Sequence, residues 1–200
     1  MSETKLMALR EAVNLAMSEE MRKDENIFLM GEDVGIYGGD FGTSVGMLAE
    51  FGEKRVKDTP ISEAAIAGAA VGSAITGLRP IVDLTFMDFI TIALDAIVNN
   101  GAKNNYMFGG GLKTPVTFRV ASGSGIGFCG TALTILLSSW LTHIPGIKVV
   151  APGNANDAKG LLKSAIQDNN IVIFMEPKAL YGKKEEVTQD PDFYIPLGKG

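Results

Sequence analysis

Two hundred residues, 46% of them hydrophobic and 20% charged, suffice for one globular α/β domain with a true core and argue against a disordered chain. The formal net charge of −5, with acids and bases interspersed, gives no basic footprint for nucleic acid, and no apolar run is clean enough for a signal-peptide core or a membrane span, so the sequence reads as cytoplasmic. A single cysteine, Cys129, and a single histidine, His143, exclude an internal disulfide and a Cys/His zinc site, which leaves carboxylates, backbone groups and a cofactor to carry function.

Leu6, Leu9, Val13, Ala16, Met17 and Met21 recur at helical spacing, which predicts an amphipathic helix from about Met7 to Lys23. The apolar run Ile27 to Met30, ending at Gly31, reads as a buried strand. The alternation continues with a helix from Glu63 to about Thr76, strand Arg79 to Leu84, helix Asp88 to about Asn99, and strand Pro115 to Val120. It closes with strand Ile147 to Val150, helix Asn154 to Gln167 and strand Ile171 to Met175. Strands separated by helix-length segments indicate βαβ units and a mostly parallel sheet, and the continuously apolar strands IFLM, IKVV and IVIF fit burial on both faces. There is no internal repeat. The charged, turn-rich stretch from Lys183 to Gly200 reads as the start of a linker, so the expected division is a domain over residues 1–182 and a linker over 183–200.

Ligands of such sheets sit outside the carboxyl ends of the strands, which directs attention to Glu32, to Thr85 through Phe89, and to the glycine-rich loop after Val120. Glu63 opens a helix of small residues in which Gly68 and Gly72 each cost about 1 kcal/mol relative to Ala, so a backbone or a cofactor is expected to approach them closely. The plain alternative for Glu63 is a first-turn carboxylate favoured by the helix dipole, with Ser62 as N-cap; for Glu32 it is a solvated turn acid. Gly125 to Gly130 formally matches GxGxxG, but the following strand, Ile147 to Val150, carries no terminal acid, and the first one comes only at Asp157. A flexible glycine loop is the better reading, and a stand-alone Rossmann nucleotide binder the weakest. Phe86, Phe89, Tyr106 and Phe108 serve equally well as core aromatics.

Taken together, MGEDVG (30–35), EFGEKRVKDTPISEAAIAGAAVGSAITGLRPI (50–81), YMFGGG (106–111), and THIPGIKVVAP with DAKGLLKSAIQDNN (142–170) closely resemble the β subunits of pyruvate, branched-chain 2-oxoacid and acetoin dehydrogenase E1 components. YMFGG, and THIPG followed by KALYG, look most like the acetoin branch. The resemblance implies a doubly wound, mostly parallel sheet with helices on both faces, the transketolase-like domain that binds the aminopyrimidine of thiamine diphosphate. It further implies an α subunit that supplies the diphosphate and Mg²⁺ site, an α2β2 assembly, and acyl transfer from a small-molecule substrate to a lipoyl-bearing E2 component. Glu63 matches the glutamate that hydrogen-bonds ring nitrogen N1′ and favours the imino tautomer, a task for which a charge-assisted hydrogen bond in a dry site is well suited. By the same match Glu32 borders the cofactor, Thr85 and Phe89 line the pyrimidine pocket, and Ala165, Ile166, Asp168 and Asn170, with Val116 the weaker match, form a monovalent-cation (K⁺) loop.

One segment departs from the family. Where relatives carry Ala-Ala-Gln-His-Ser-Gln-Ser, this chain reads Phe128 to Leu136, and the family's histidine falls nearest Leu133. Codons permitted by these residues, read one base forward, yield Ser-Ala-Ala-Gln-His-Ser-Gln-Ser. The hypothesis that follows is a local pair of compensating frame changes, or a sequence error, and third bases incompatible with that second frame in the gene would refute it. If the residues are real substitutions, they build an apolar helix from Leu133 to Leu141, and the chain reads as an assembly-competent but catalytically silent remnant.

Overall fold

The computed structural model describes residues 3–123 and 137–198. In chain order they form β1 (Thr4–Ala8), α1 (Leu9–Lys23), β2 (Ile27–Gly31), α2 (Met47–Phe51), β3 (Val56–Asp58), α3 (Glu63–Ile75), β4 (Arg79–Phe86), α4 (Ile90–Leu94) and α5 (Asn104–Met107). There follow β5 (Thr117–Ser122), α6 (Ser138–Thr142), β6 (Ile147–Val150), α7 (Ala155–Gln167), β7 (Ile171–Pro177) and β8 (Lys184–Thr188).

Six strands lie parallel in the order β3-β2-β4-β5-β7-β6. Alternate strand residues feed two cores. Ile27, Leu29, Ile81 and Phe174 meet α1 and α7 on one face, while Phe28, Met30, Val82 and Ile173 meet α3 and α4 on the other. This two-sided cover explains why the strands are apolar without alternation, and it makes the domain the doubly wound sheet that the sequence predicts.

The differences from the predicted elements have local causes. Helix α1 starts at Leu9, because Thr4 to Ala8 pair antiparallel with Lys184 to Thr188, and Glu11 Oε2 accepts the Ala8 N–H at 2.7 Å where the helix begins. The predicted helix from Asp88 becomes a 3₁₀ turn over Met87–Phe89, then α4, then a π-helical stretch over Asp95–Ala102. There the Asp95 carboxylate accepts from both Asn99 and Asn100, and a Cβ on Gly101 would lie 2.3 Å from Ile171 Cδ1, so the wide turn sits against β7. The stretch read as the start of a linker supplies β8 and then continues across the domain: Lys159 Nζ donates to the carbonyls of Thr188 (2.9 Å) and Asp190 (3.0 Å), and Ile195 N–H reaches Gly160 O. Its charges favour a solvated edge, yet its backbone finds partners on β1 and α7.

Candidate functional site

The carboxyl ends of β2, β3 and β4 converge on one mouth. After β2, the loop through Glu32 is tied down by Asp58 at the end of β3, whose Oδ1 accepts the Gly35 N–H at 2.6 Å and whose Oδ2 accepts the Ile36 N–H at 3.4 Å. A Cβ at Gly35 would lie 2.7 Å from Asp58 Oδ2, so a larger residue there would displace the carboxylate that holds the loop. Thr59 N–H then returns to Gly31 O at 3.0 Å, and Pro60 to Ser62 lead into α3. Ser62 occupies the N-cap position, but its side chain makes no capping hydrogen bond; its carbonyl accepts the Ile66 N–H instead.

Glu63 is therefore the first residue of α3, a first-turn acid that is only 6% exposed. Among the described residues its carboxylate has no hydrogen-bond partner. A buried carboxylate at a helix start fits a ligand that donates a hydrogen bond. Four residues earlier in the chain, Thr59 Oγ1 is buried without a partner among the described residues. Glu32 is half-buried, and its pKa is raised above the ordinary carboxylate range, first by burial and then by the negative charges of Glu63, Asp40, Asp33 and Asp83. Asp40 is raised too, by burial and by Asp83 and Asp33.

Strand β4 contributes the opposite wall. Its register with β5 breaks between Asp83 and Phe86, and inside that irregularity Thr85 takes φ 57°, a left-handed conformation that costs a non-glycine residue about 1–2 kcal/mol. The Thr85 N–H is held by Asp83 Oδ1 at 2.9 Å, and the residue is 8% exposed. A β-branched residue kept in this region marks a site where the surroundings enforce the backbone. Phe89 stands at the end of the following 3₁₀ turn, edge-on to Phe86 at 5.8 Å between centroids. Glu32, Glu63, Thr85 and Phe89 thus share this end of the sheet. By contrast, Tyr106 (91% exposed) and Phe108 are surface residues, which corrects their reading as core aromatics.

Beneath the mouth lies an ion-pair network not singled out from the sequence. Arg119 of β5, 2% exposed, forms a two-point pair with Glu176 of β7 (Nε–Oε1 2.6 Å, Nη2–Oε2 3.0 Å) and reaches Asp83 Oδ2 at 3.2 Å. Tyr181 Oη donates to Glu176 Oε2 at 2.9 Å. Burial works against the guanidinium charge, but Glu176 and Asp83 more than offset it and hold Arg119 above its ordinary range. Burial, reinforced by the charge of Glu176, lifts the Tyr181 phenol well above its ordinary range. The signal was available: Asp83, Arg119 and Glu176 are charged residues placed inside buried strands.

The residues matched to a cation loop gather at the other end of the sheet. Ala165 and Ile166 close α7, Asp168 and Asn170 form the turn into β7, and Val116 joins them because Val172 N–H donates to its carbonyl. Several of their oxygens already accept from protein donors. Ala165 O takes the Asp168 N–H, Asp168 Oδ1 takes the Asn170 N–H at 2.9 Å, and Lys148 pairs with Asp168 Oδ2. The glycine loop 125–130, Cys129 and the segment 128–136 with Leu133 lie outside the described residues. His143 is exposed just after α6. Among the described residues no helix is long and apolar enough to cross a membrane.

The pyruvate dehydrogenase E1 component subunit beta of Rhizobium meliloti is 48% identical over 198 residues, covering 99% of this chain and 43% of that protein. The mitochondrial pyruvate dehydrogenase E1 subunit beta of Saccharomyces cerevisiae is 45% identical over 198 residues, covering 98% of this chain and 54% of that protein. The chain thus spans about half the length of the curated relatives it matches. A solved split-gene transketolase, described as an inactive beta4 tetramer, shares the fold with a TM-score of 0.73 at 21% identity, over 96% of this chain and 57% of that one. The family described as transketolase, pyrimidine binding domain, matches residues 5–184, and the chain belongs to that family.

Proposed function

We propose that this chain is the pyrimidine-binding half of the β subunit of a thiamine-diphosphate-dependent E1 dehydrogenase of the pyruvate or acetoin type, working with an α subunit that brings the diphosphate and Mg²⁺ site. The observation that carries the reading is Glu63, 6% exposed at the first position of α3, whose carboxylate has no hydrogen-bond partner among the described residues and which lies at the same end of the sheet as the strained Thr85. Glu63 would form the hydrogen bond to ring nitrogen N1′ of the aminopyrimidine. Thr85 and Phe89 would line the ring, and Glu32 would border it as a carboxylate whose ionisation is disfavoured by partial burial and by neighbouring acids. When bound, the cofactor supplies the nucleophilic carbon that attacks the substrate carbonyl, and the acyl unit then passes to a lipoyl-bearing E2 component. A monovalent cation at Val116, Ala165, Ile166, Asp168 and Asn170 belongs to the same proposal.

The test is exchange of the thiazolium C2 proton, followed by NMR in the chain assembled with a cognate α subunit. Glu63→Gln is expected to slow exchange by about 10²- to 10⁴-fold, and an undiminished rate overturns the assignment. If the segment Phe128 to Leu136 is a real substitution, the loss of the family's histidine, which falls nearest Leu133, favours a second reading, an assembly that binds cofactor but turns over no substrate. Normal C2 exchange without acyl transfer identifies it.

A further inference from the structure

A single buried guanidinium stands at the junction of two chains of contact that end on the two wall residues of the pocket. The first runs through Asp83, which gives one carboxylate oxygen to Arg119 (3.2 Å) and the other to the Thr85 N–H (2.9 Å). The second runs through Glu176, bound at two points by Arg119, to the hydroxyl of Tyr181. The Tyr181 ring stacks on Phe41 at 4.6 Å, Phe41 meets Phe86 edge-on at 5.7 Å, and Phe86 meets Phe89 edge-on at 5.8 Å. Lys178 Nζ adds a cationic contact 5.3 Å from the centre of the Phe86 ring.

We infer that Arg119 is a positioning residue, which sets the backbone of Thr85 through Asp83 and the pitch of Phe89 through Glu176, Tyr181 and the aromatic chain. The inference rests on the cofactor reading above. Sheet register alone does not require this ion pair. Backbone pairing joins β5 to β7 from Thr117 to Ser122, and β4 to β5 at Ile81 to Asp83 and again at Phe86, and a buried ion pair of this kind is commonly no more stabilising than well-packed apolar residues of the same volume. What the network adds is direction. A planar fork fixes two carboxylates at once; Asp83 in turn holds the Thr85 N–H, and Glu176 holds the Tyr181 hydroxyl. Bulged strands beside binding sites hold such off-register positions only when neighbouring groups enforce them. Arg119 also pairs its positive charge with Asp83 at 3.2 Å, so its loss leaves that carboxylate without its cation.

The experiment is a titration of thiamine diphosphate, in the presence of Mg²⁺, into the chain assembled with a cognate α subunit, read by fluorescence quenching with thermal melting in parallel. Arg119→Met and Asp83→Ala are expected to raise Kd for the cofactor at least tenfold in the assembled fraction, and Arg119→Lys to recover part of that loss by keeping the charge without the fork. A wild-type Kd in assembled Arg119→Met or Asp83→Ala overturns the inference. Should those variants fail to fold, Tyr181→Phe and Tyr181→Leu test the second chain. The first keeps the ring and is expected to raise Kd about two- to fivefold, the second loses the stacking partner and raises it further, and wild-type Kd in both overturns the inference. Absence of saturable cofactor binding in the wild-type assembly would instead overturn the cofactor reading itself, so the two failures are distinguishable.

Discussion

Arg79, at the start of β4, donates to the carbonyl oxygen of Ile166 at the end of α7 from both Nε (3.2 Å) and Nη2 (2.9 Å), and Nη2 also reaches Asp168 O at 2.8 Å. A protein cation is thus already placed on two carbonyls of the loop matched to a potassium site, and any metal ion there must share them. Replacing Arg79 by Met strips these donors and is expected to cost about 1–3 kcal/mol. If the loop takes a monovalent cation, potassium chloride restores part of the lost melting temperature where choline chloride at equal ionic strength does not. Identical responses to the two salts would remove the cation from the proposal.

The acidic mouth has a pH signature. Burial and neighbouring acids raise the folded-state pKa of Glu32. Such a group contributes stability fully below the unfolded carboxylate value and loses that contribution as pH rises through the folded value. At pH 7 the wild type therefore carries a penalty that Glu32→Gln lacks. The variant is expected to melt higher by on the order of 2 °C at pH 7, with the gap closing as the buffer is taken down to about pH 4. Differential scanning calorimetry across that range decides it, and a gap that widens toward acid would refute the sign.

Helices α1 and α7 are joined by buried charge as well as by apolar contact. Lys159 and Lys163 are fully buried, with Glu19 pairing to both at 2.9 and 2.6 Å and Glu20 lying 3.6 Å from Lys163. Tyr194 donates to Glu20 Oε1 at 2.6 Å, and Lys163 also donates to the Pro191 carbonyl. Glu19→Gln leaves buried ammonium charge undercompensated and is expected to cost about 3–5 kcal/mol in a denaturant titration. Removing a matched pair, Glu19→Leu with Lys159→Met, is expected to cost less. Amide exchange in residues 188–194 should rise in Glu19→Gln, because the lysines that hold this segment lose their anchor.

The sheet was legible because its strands are buried on both faces and therefore read as uninterrupted apolar runs; IFLM and IVIF lie within β2 and β7. The short strand β3 carries one buried residue, Val56, and the edge strand β8 is rich in Lys and Glu, so neither has a period to detect. At the mouth, position along the strands singled out Glu32, Thr85 and Phe89. No spacing rule announces that Thr85 turns left-handed, since that depends on Asp83 accepting its amide. The network centred on Arg119 is a property of adjacent parallel strands, and sequence order separates its members by 36 and 57 residues.

Three glycines separate what this chain demands of itself from what a partner demands of it. Gly146 lies at φ 92°, and a Cβ there would sit 2.2 Å from Ala102 O, so Gly146→Ala is expected to destabilise the chain by more than about 2 kcal/mol. Gly68 and Gly72 of α3 are exposed, and a Cβ at either would meet nothing within 4 Å. Their expected close neighbour is therefore not supplied by the described residues. Alanine at either position should raise the stability of the chain on its own by about 0.5–1 kcal/mol through helix propensity. If another subunit packs against this face, as the E1 reading requires, the same substitutions should weaken assembly with the α subunit at least tenfold, measured by analytical ultracentrifugation. A variant that is both more stable alone and equally able to assemble would show that the glycines serve no interface.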